Sequence, residues 1–283
     1  MNRLPRRLPR RHRFSGSSFN RMLPNLMTLL GLCIGLSSIR LAMDGKFGSA
    51  VLAIAVSGVI DGLDGRLARL LKATSRFGAE FDSLADFLCF GIAPALVIYV
   101  WSLQPWGAIG FLPPLIYASA MALRLARFNA ALDSAPKAAF AYNFFTGVPA
   151  PAGAGLALFP LFLGLEANRL HLYWLSDATA FPLFTGAILI AVALLCVSTL
   201  PVWSFKNFKI PASTILPLLL GVVVFAAIIF ADPFAAGALL GLAYMIMLPF
   251  SLRSYRRLAA EAEARRTGPT LPVEVDLTPP ADP

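Results

Sequence analysis

Eight times along this chain the sequence runs for about twenty residues with few or no charged side chains, the length a helix needs to cross the hydrocarbon core of a bilayer. The stretches are 23–43, 48–71, 83–101, 107–128, 146–165, 180–200, 212–230 and 233–251. Lipid offers backbone N–H and C=O groups no partner, so an isolated spanning segment must satisfy them itself, as a helix. Composition agrees: 58% of the 283 residues are hydrophobic and 14% charged, against about 45–50% and about 25% in soluble domains. A soluble enzyme and a soluble nucleic-acid binder are thereby excluded. The expected fold is all-α, a polytopic membrane helix bundle of about eight transmembrane helices. Short turns at Gln104-Pro105-Trp106 and Asp232-Pro233 make their flanking helices antiparallel neighbours. No internal repeat is evident, which argues against a transporter built from inverted repeats.

Charge gives the orientation. The net charge of +9 suits cytoplasmic helix ends held against anionic lipid. With both termini inside, only Arg40, Lys46 and Arg169 of the 24 Lys and Arg fall on the outer side. Residues 1–20 form a basic arm expected at the anionic headgroups, with an organellar transit peptide as the rival reading, since no acid precedes Asp44. Residues 253–283 read as a cytoplasmic tail, disordered where Pro, Thr and acids accumulate. Cys33, Cys89 and Cys196 each lie inside an apolar run without metal-ligand spacing and read as small buried apolar residues. His12 and His171 stand in the arm and in an outer loop, so no triad with an acid is expected.

The chemistry is expected where acids enter the membrane. Asp61, Asp64, Asp82 and Asp86 sit in or beside the second and third spans, each at a cost of about 2.5–3.5 kcal/mol near a span centre. At about 100° per residue, with Asp61 at zero, Asp64 falls near −60°, Gly65 near +40° and Ala68 near −20°. Leu63, Leu67, Leu70 and Leu71 take the opposite side. Asp82 and Asp86 are one turn apart on the next helix, so a hairpin gathers all four carboxylates at one membrane surface. Carboxylates without His or Cys suit hard cations, Mg²⁺ or Mn²⁺. Two such ions would neutralise the cluster and serve a phosphoryl transfer. Gly65, Ala68 and Gly78 leave room for a phosphate or nucleotide near backbone, and Arg69 could hold a phosphate with its planar fork. The competing reading pairs these acids with Arg66, Arg69, Lys72 and Arg76 as structural ion pairs.

The pattern Asp61-x2-Asp64-Gly65-x2-Ala68-Arg69-x8-Gly78-x3-Asp82-x3-Asp86 resembles, without departure, the signature of the CDP-alcohol phosphatidyltransferases. The resemblance implies a six-helix membrane core, here residues 21–210, extended by two helices over 211–252, and a homodimer. It also implies transfer from a CDP-linked lipid to an alcohol, release of CMP, and two metal ions held by the aspartates. Three further stretches are similar to the bacterial phosphatidylserine synthases of that family: Leu23-Pro24-Asn25-Leu26-Met27-Thr28, Leu123 to Asn129, and Phe145 to Pro149 with Ser204-Phe205-Lys206. The donor expected from this likeness is CDP-diacylglycerol and the acceptor L-serine, with membrane lipids around them and the site on the cytoplasmic side of the cell membrane. Asn25 and Thr28 are candidate contacts to nucleotide or phosphates, or plain helix-start residues. Arg124 and Arg127 share one face of a helix end; with Asn129 and Lys206 they are candidates for the serine carboxylate, or plain anchors on the positive side. Glycerol 3-phosphate, an inositol phosphate and choline remain open as acceptors, and a divalent-cation transporter is the rival of another class. Asp86 is, by the resemblance, the base for the acceptor hydroxyl, a role that helix geometry leaves open between it and Asp82.

Overall fold

The computed structural model describes residues 16–132, 144–203 and 212–267. Helices α1 (Gly16–Met43) and α2 (Phe47–Leu70) form an antiparallel hairpin turning at Gly45, whose φ of +75° suits glycine. Small residues let helices come close in lipid. A side chain at Gly35 would begin 2.5 Å from Cys89 Sγ and 3.0 Å from Ser57 Oγ, and Ser57 Oγ donates to the Gly31 carbonyl at 2.9 Å. These contacts tie the first, second and third spans together.

The third span is irregular. It begins as α3 (Arg76–Asp86), passes through a π-helical turn at Phe87–Ile92, and continues as α4 (Ala93–Ile98). A second π-helical turn (Tyr99–Leu103), a 3₁₀ turn (Gln104–Trp106) and the short α5 (Gly107–Gly110) complete it. Gly110 must be glycine, because a Cβ there would stand 2.0 Å from the Leu103 carbonyl oxygen. Helix α6 (Leu112–Leu132) returns, with Pro113 and Pro114 in its first turn, where backbone N–H groups have no helical acceptor.

Strand β1 (Phe144–Thr146) pairs antiparallel with β2 (Pro201–Trp203), Phe145 opposite Val202. Between them lie α7 (Ala150–Ala157), α8 (Phe159–Arg169), α9 (Tyr173–Ala180) and α10 (Pro182–Val197). The chain ends in α11 (Ala212–Ala231) and α12 (Pro233–Thr267). Asp232 caps α12, its Oδ1 accepting from the Phe234 and Ala235 N–H groups at 3.1 Å each, and its other oxygen meets Arg169 at the end of α8. The core centres on Ile98, Tyr117, Met121, Leu161 and Leu189.

Among the described residues four helical stretches are long and apolar enough to cross a membrane: Met22–Met43, Phe47–Leu70, Arg76–Gly110 and Pro233–Leu258. The pairs α7–α8 and α9–α10 add two more if each is one span bent by 42° and 56°. The bends fall next to Pro160 and Pro182, which suit a helix start better than its interior. Helix α6 is not in this set; Arg124, Arg127 and Asn129 make its C-terminal end polar. The described apolar stretch of α11, Leu219–Ala231, is shorter than a span. Among the described residues the bundle is all-α but for one two-stranded ribbon, and four to six of the eight apolar runs are met by helices of spanning length.

Two expectations need correction. Helix α12 continues to Thr267, so residues 253–267 are helical rather than part of an irregular tail. Ala259, Ala260, Ala262 and Ala264 supply helix propensity where apolarity ends. Cys33 is exposed on the outer face of α1, whereas Cys89 and Cys196 are buried as expected.

Candidate active site

Helix α2 presents its aspartates through the periodicity read above. Asp64 is buried, Asp61 half-buried, and Leu63 and Leu70 point outward. The helix then stops sharply: the Ala73 N–H reaches the Ala68 carbonyl at 2.9 Å and the Lys72 N–H that of Arg69 at 3.2 Å, with Lys72 at φ 51°. This is the Schellman arrangement, with lysine at the position glycine usually takes. A three-residue link leads to Ser75, whose Oγ accepts from the Gly78 N–H at 3.0 Å and starts α3.

The hairpin brings Asp61, Asp64 and Asp82 together, with one oxygen from each lying within 4.8 Å of the other two. Asp86 stands beside this triad, its carboxylate within hydrogen-bonding range of Asp61. The Asp86 Oδ1 is buried with no partner among the described residues. Thr28 on α1 reaches across at 2.6 Å, its hydroxyl donating to Asp64 Oδ2. A small cavity between α1, α2 and the third span is lined by Thr28, Asp61, Asp64 and Asp86 among others.

Structural ion pairing of the cluster is not what the structure shows. Among the described residues no Lys or Arg comes within 4.0 Å of these four aspartates, whereas Arg169 pairs with Glu166 and Asp232. Arg66, Arg69, Lys72 and Arg76 are all exposed. Carboxylates this close, one with an unpartnered buried oxygen, need a proton or a cation between them. An oxygen-only donor set fits a hard divalent ion.

The other expected site residues divide. Around Gly65 there is open space, its nearest neighbour being the Arg69 guanidinium, 3.9 Å from where a Cβ would stand. Ala68 lies on the same face, one turn on. Gly78, by contrast, is crowded by protein: a Cβ would meet Asn25 Oδ1 at 2.9 Å, so its smallness admits α1 to the start of α3. Arg124 Nε donates to the Val148 carbonyl at 2.6 Å, and its guanidinium lies within electrostatic reach of Asp86. Arg127 is occupied elsewhere, its NH1 and NH2 donating to the Val197 and Ser198 carbonyls at 2.7 and 3.1 Å. These are orphan carbonyls at the end of α10, and a cation there also meets the negative end of the helix dipole. Asn129 Nδ2 donates to Ser83 Oγ at 3.0 Å, joining α6 to α3. Lys206 lies outside the described residues.

Gly147 completes this corner. At φ 76° it sits where a Cβ would clash with the Ser198 and Cys196 carbonyls, 2.7 and 2.8 Å away. The Gly147 N–H reaches the Leu200 carbonyl at 2.8 Å. Sequence reasoning passed over Ser83, Tyr117 and the carbonyl of Val148. Ser83 lies between two of the aspartates, and Tyr117 two turns before Arg124 on one face, so both carried a signal in their spacing.

The fold and this cluster define a membrane helical protein with a carboxylate site fit for a hard divalent cation. The chain belongs to the CDP-alcohol phosphatidyltransferase family, whose model matches residues 21–197. It is 38% identical over 245 residues to the CDP-diacylglycerol–serine O-phosphatidyltransferase of Mycobacterium tuberculosis, covering 86% of this chain and 82% of the relative. The protein of that name from Helicobacter pylori is 35% identical over 215 residues, 76% of this chain and 84% of its own. An archaetidylserine synthase of Methanothermobacter thermautotrophicus is 34% identical over 137 residues, 47% and 54% of the two chains.

Proposed function

We propose that this protein transfers the phosphatidyl group from CDP-diacylglycerol to L-serine, giving phosphatidylserine and CMP. The observation that carries the reading is the Asp61–Asp64–Asp82 triad beside an Asp86 with an unpartnered oxygen, in a chain that matches the Mycobacterium tuberculosis and Helicobacter pylori proteins named for that reaction over 82% and 84% of their lengths. Asp61, Asp64 and Asp82 would hold one divalent ion, with Asp86 completing a second site. Mg²⁺ or Mn²⁺ bound there would polarise the diphosphate and neutralise charge on the departing CMP.

The rest falls to the chain's own residues. Gly65 and Ala68 give the donor a close approach to α2, Arg69 offers a fork to a phosphate, Thr28 joins α1 to α2 through Asp64, and Asn25 and Gly78 fix the α1–α3 contact. Asp86 accepts the serine hydroxyl proton as its oxygen attacks the phosphatidyl phosphorus and the bond to CMP breaks. Arg124, one nitrogen spent on Val148 and its charge felt at Asp86, takes the serine carboxylate together with Lys206. Arg127 and Asn129 support this corner rather than contact substrate. In the membrane the chain takes eight spans with both termini inside and the site at the cytoplasmic face, in a homodimer.

The test is CMP release from CDP-diacylglycerol in detergent with Mn²⁺, comparing L-serine with glycerol 3-phosphate, inositol 1-phosphate and choline. Release with serine alone is the expected result. Release with another acceptor instead would overturn the serine assignment, and release with none from folded protein would overturn the reaction.

A further inference from the structure

The π-helical turn Phe87–Ile92 follows directly on Asp86, and its cause lies four residues past Phe90. Pro94 has no N–H for the Phe90 carbonyl, and its ring crowds that oxygen. Helices relieve such a conflict by widening a turn, often at functional sites. The Phe90 carbonyl finds a donor in another helix: the Tyr117 hydroxyl on α6 donates to it at 2.7 Å. Tyr117 is 0% exposed and Phe90 2%. Helix α6 comes this close because Gly91 has no side chain; a Cβ there would already stand 3.1–3.3 Å from Phe87 and Met121. Two turns along α6 from Tyr117 lies Arg124, whose charge is felt at Asp86.

We propose that Tyr117 is a positioning residue: by holding the Phe90 carbonyl it keeps the widened turn open, and that turn aims Asp86 at Asp61 and Arg124. The proposal rests on the reading of Asp86 as the base. Beyond the turn α4 is locked, with Ala93, Val97 and Ile98 fully buried, while α3 before it buries only Ala85. Narrowing the turn by one residue rotates one side against the other by about 100°. The side free to swing is α3, which carries Asp86.

Tyr117→Phe removes one oxygen and keeps the ring. The expected result is a fall in kcat for CMP release of about tenfold or more with KM for CDP-diacylglycerol within about twofold. Amide exchange over 87–98 should quicken while α2 keeps its protection. Adding Pro94→Ala returns an N–H to the Phe90 carbonyl. Thermal stability and exchange protection should then recover while kcat stays low, because the turn closes to α-helical register and Asp86 moves. If the single variant does not fold, the double variant carries the test. Wild-type kcat in Tyr117→Phe, or recovery of kcat together with stability in the double variant, would overturn the proposal by making the bond merely structural. Absence of turnover in the wild type would overturn the reading of the site instead, and the exchange pattern would still decide whether Tyr117 holds the turn.

Discussion

Thr28→Val tests whether α1 belongs to the metal site or only packs beside it. The Thr28 hydroxyl donates to Asp64 Oδ2 at 2.6 Å, between a residue 8% exposed and one 3% exposed. Valine keeps the shape and removes the donor. A hydrogen bond to a charged group contributes about 1.5–3 kcal/mol, and loss of a partner that orients a metal ligand typically weakens metal binding by about 10- to 100-fold. The Mn²⁺ concentration for half-maximal CMP release should therefore rise by about one to two decades, with the maximal rate largely regained at saturating Mn²⁺. Calorimetric Mn²⁺ binding without substrate should shift in parallel, and Thr28→Ser should restore both. An unchanged half-activating concentration in folded Thr28→Val would refute the idea that this hydroxyl orients a ligand.

Arg127→Ala should lower thermal stability, since it strips donors from the Val197 and Ser198 carbonyls, and leave KM for serine nearly unchanged; Arg124→Ala should raise that KM, and the reverse pattern would exchange their roles. Lys72→Gly should stabilise the detergent-solubilised protein by about 1 kcal/mol by relieving left-handed backbone strain, read as a higher Tm. Gly78→Ala should lower both stability and activity by pressing on Asn25, and Asn25→Ala in the same chain should recover stability; no recovery would mean that the crowding lies elsewhere.

The front of α2 was legible in the sequence because one element alone decides it: a 3.6-residue period places Asp61, Asp64, Gly65 and Ala68 together wherever the helix lies. The gathering with Asp82 followed from a short link. What α6 does was not legible. Arg124 and Arg127 look alike by spacing, yet one bonds the Val148 carbonyl and the other closes the end of a helix seventy residues away. That difference depends on where α10 stops, and Gly147 and the β1–β2 ribbon decide it. At Gly78 the sequence signalled close approach without saying that Asn25 of α1 is what approaches. The third span hid its irregularity in a single letter, Pro94, whose effect on Phe90 needs Tyr117 to be seen. Run length alone also passed over the bend between α7 and α8 and stopped α12 where apolarity ended.

The central claim is that the aspartate cluster carries out phosphatidyl transfer to serine with Asp86 as its base. Its most direct measurement is CMP release from CDP-diacylglycerol at saturating Mn²⁺ and L-serine, wild type beside Asp86→Asn, with thermal unfolding in the same detergent. The expected result is serine-dependent release by the wild type and none by a variant that remains folded. Release by Asp86→Asn at the wild-type rate would contradict it.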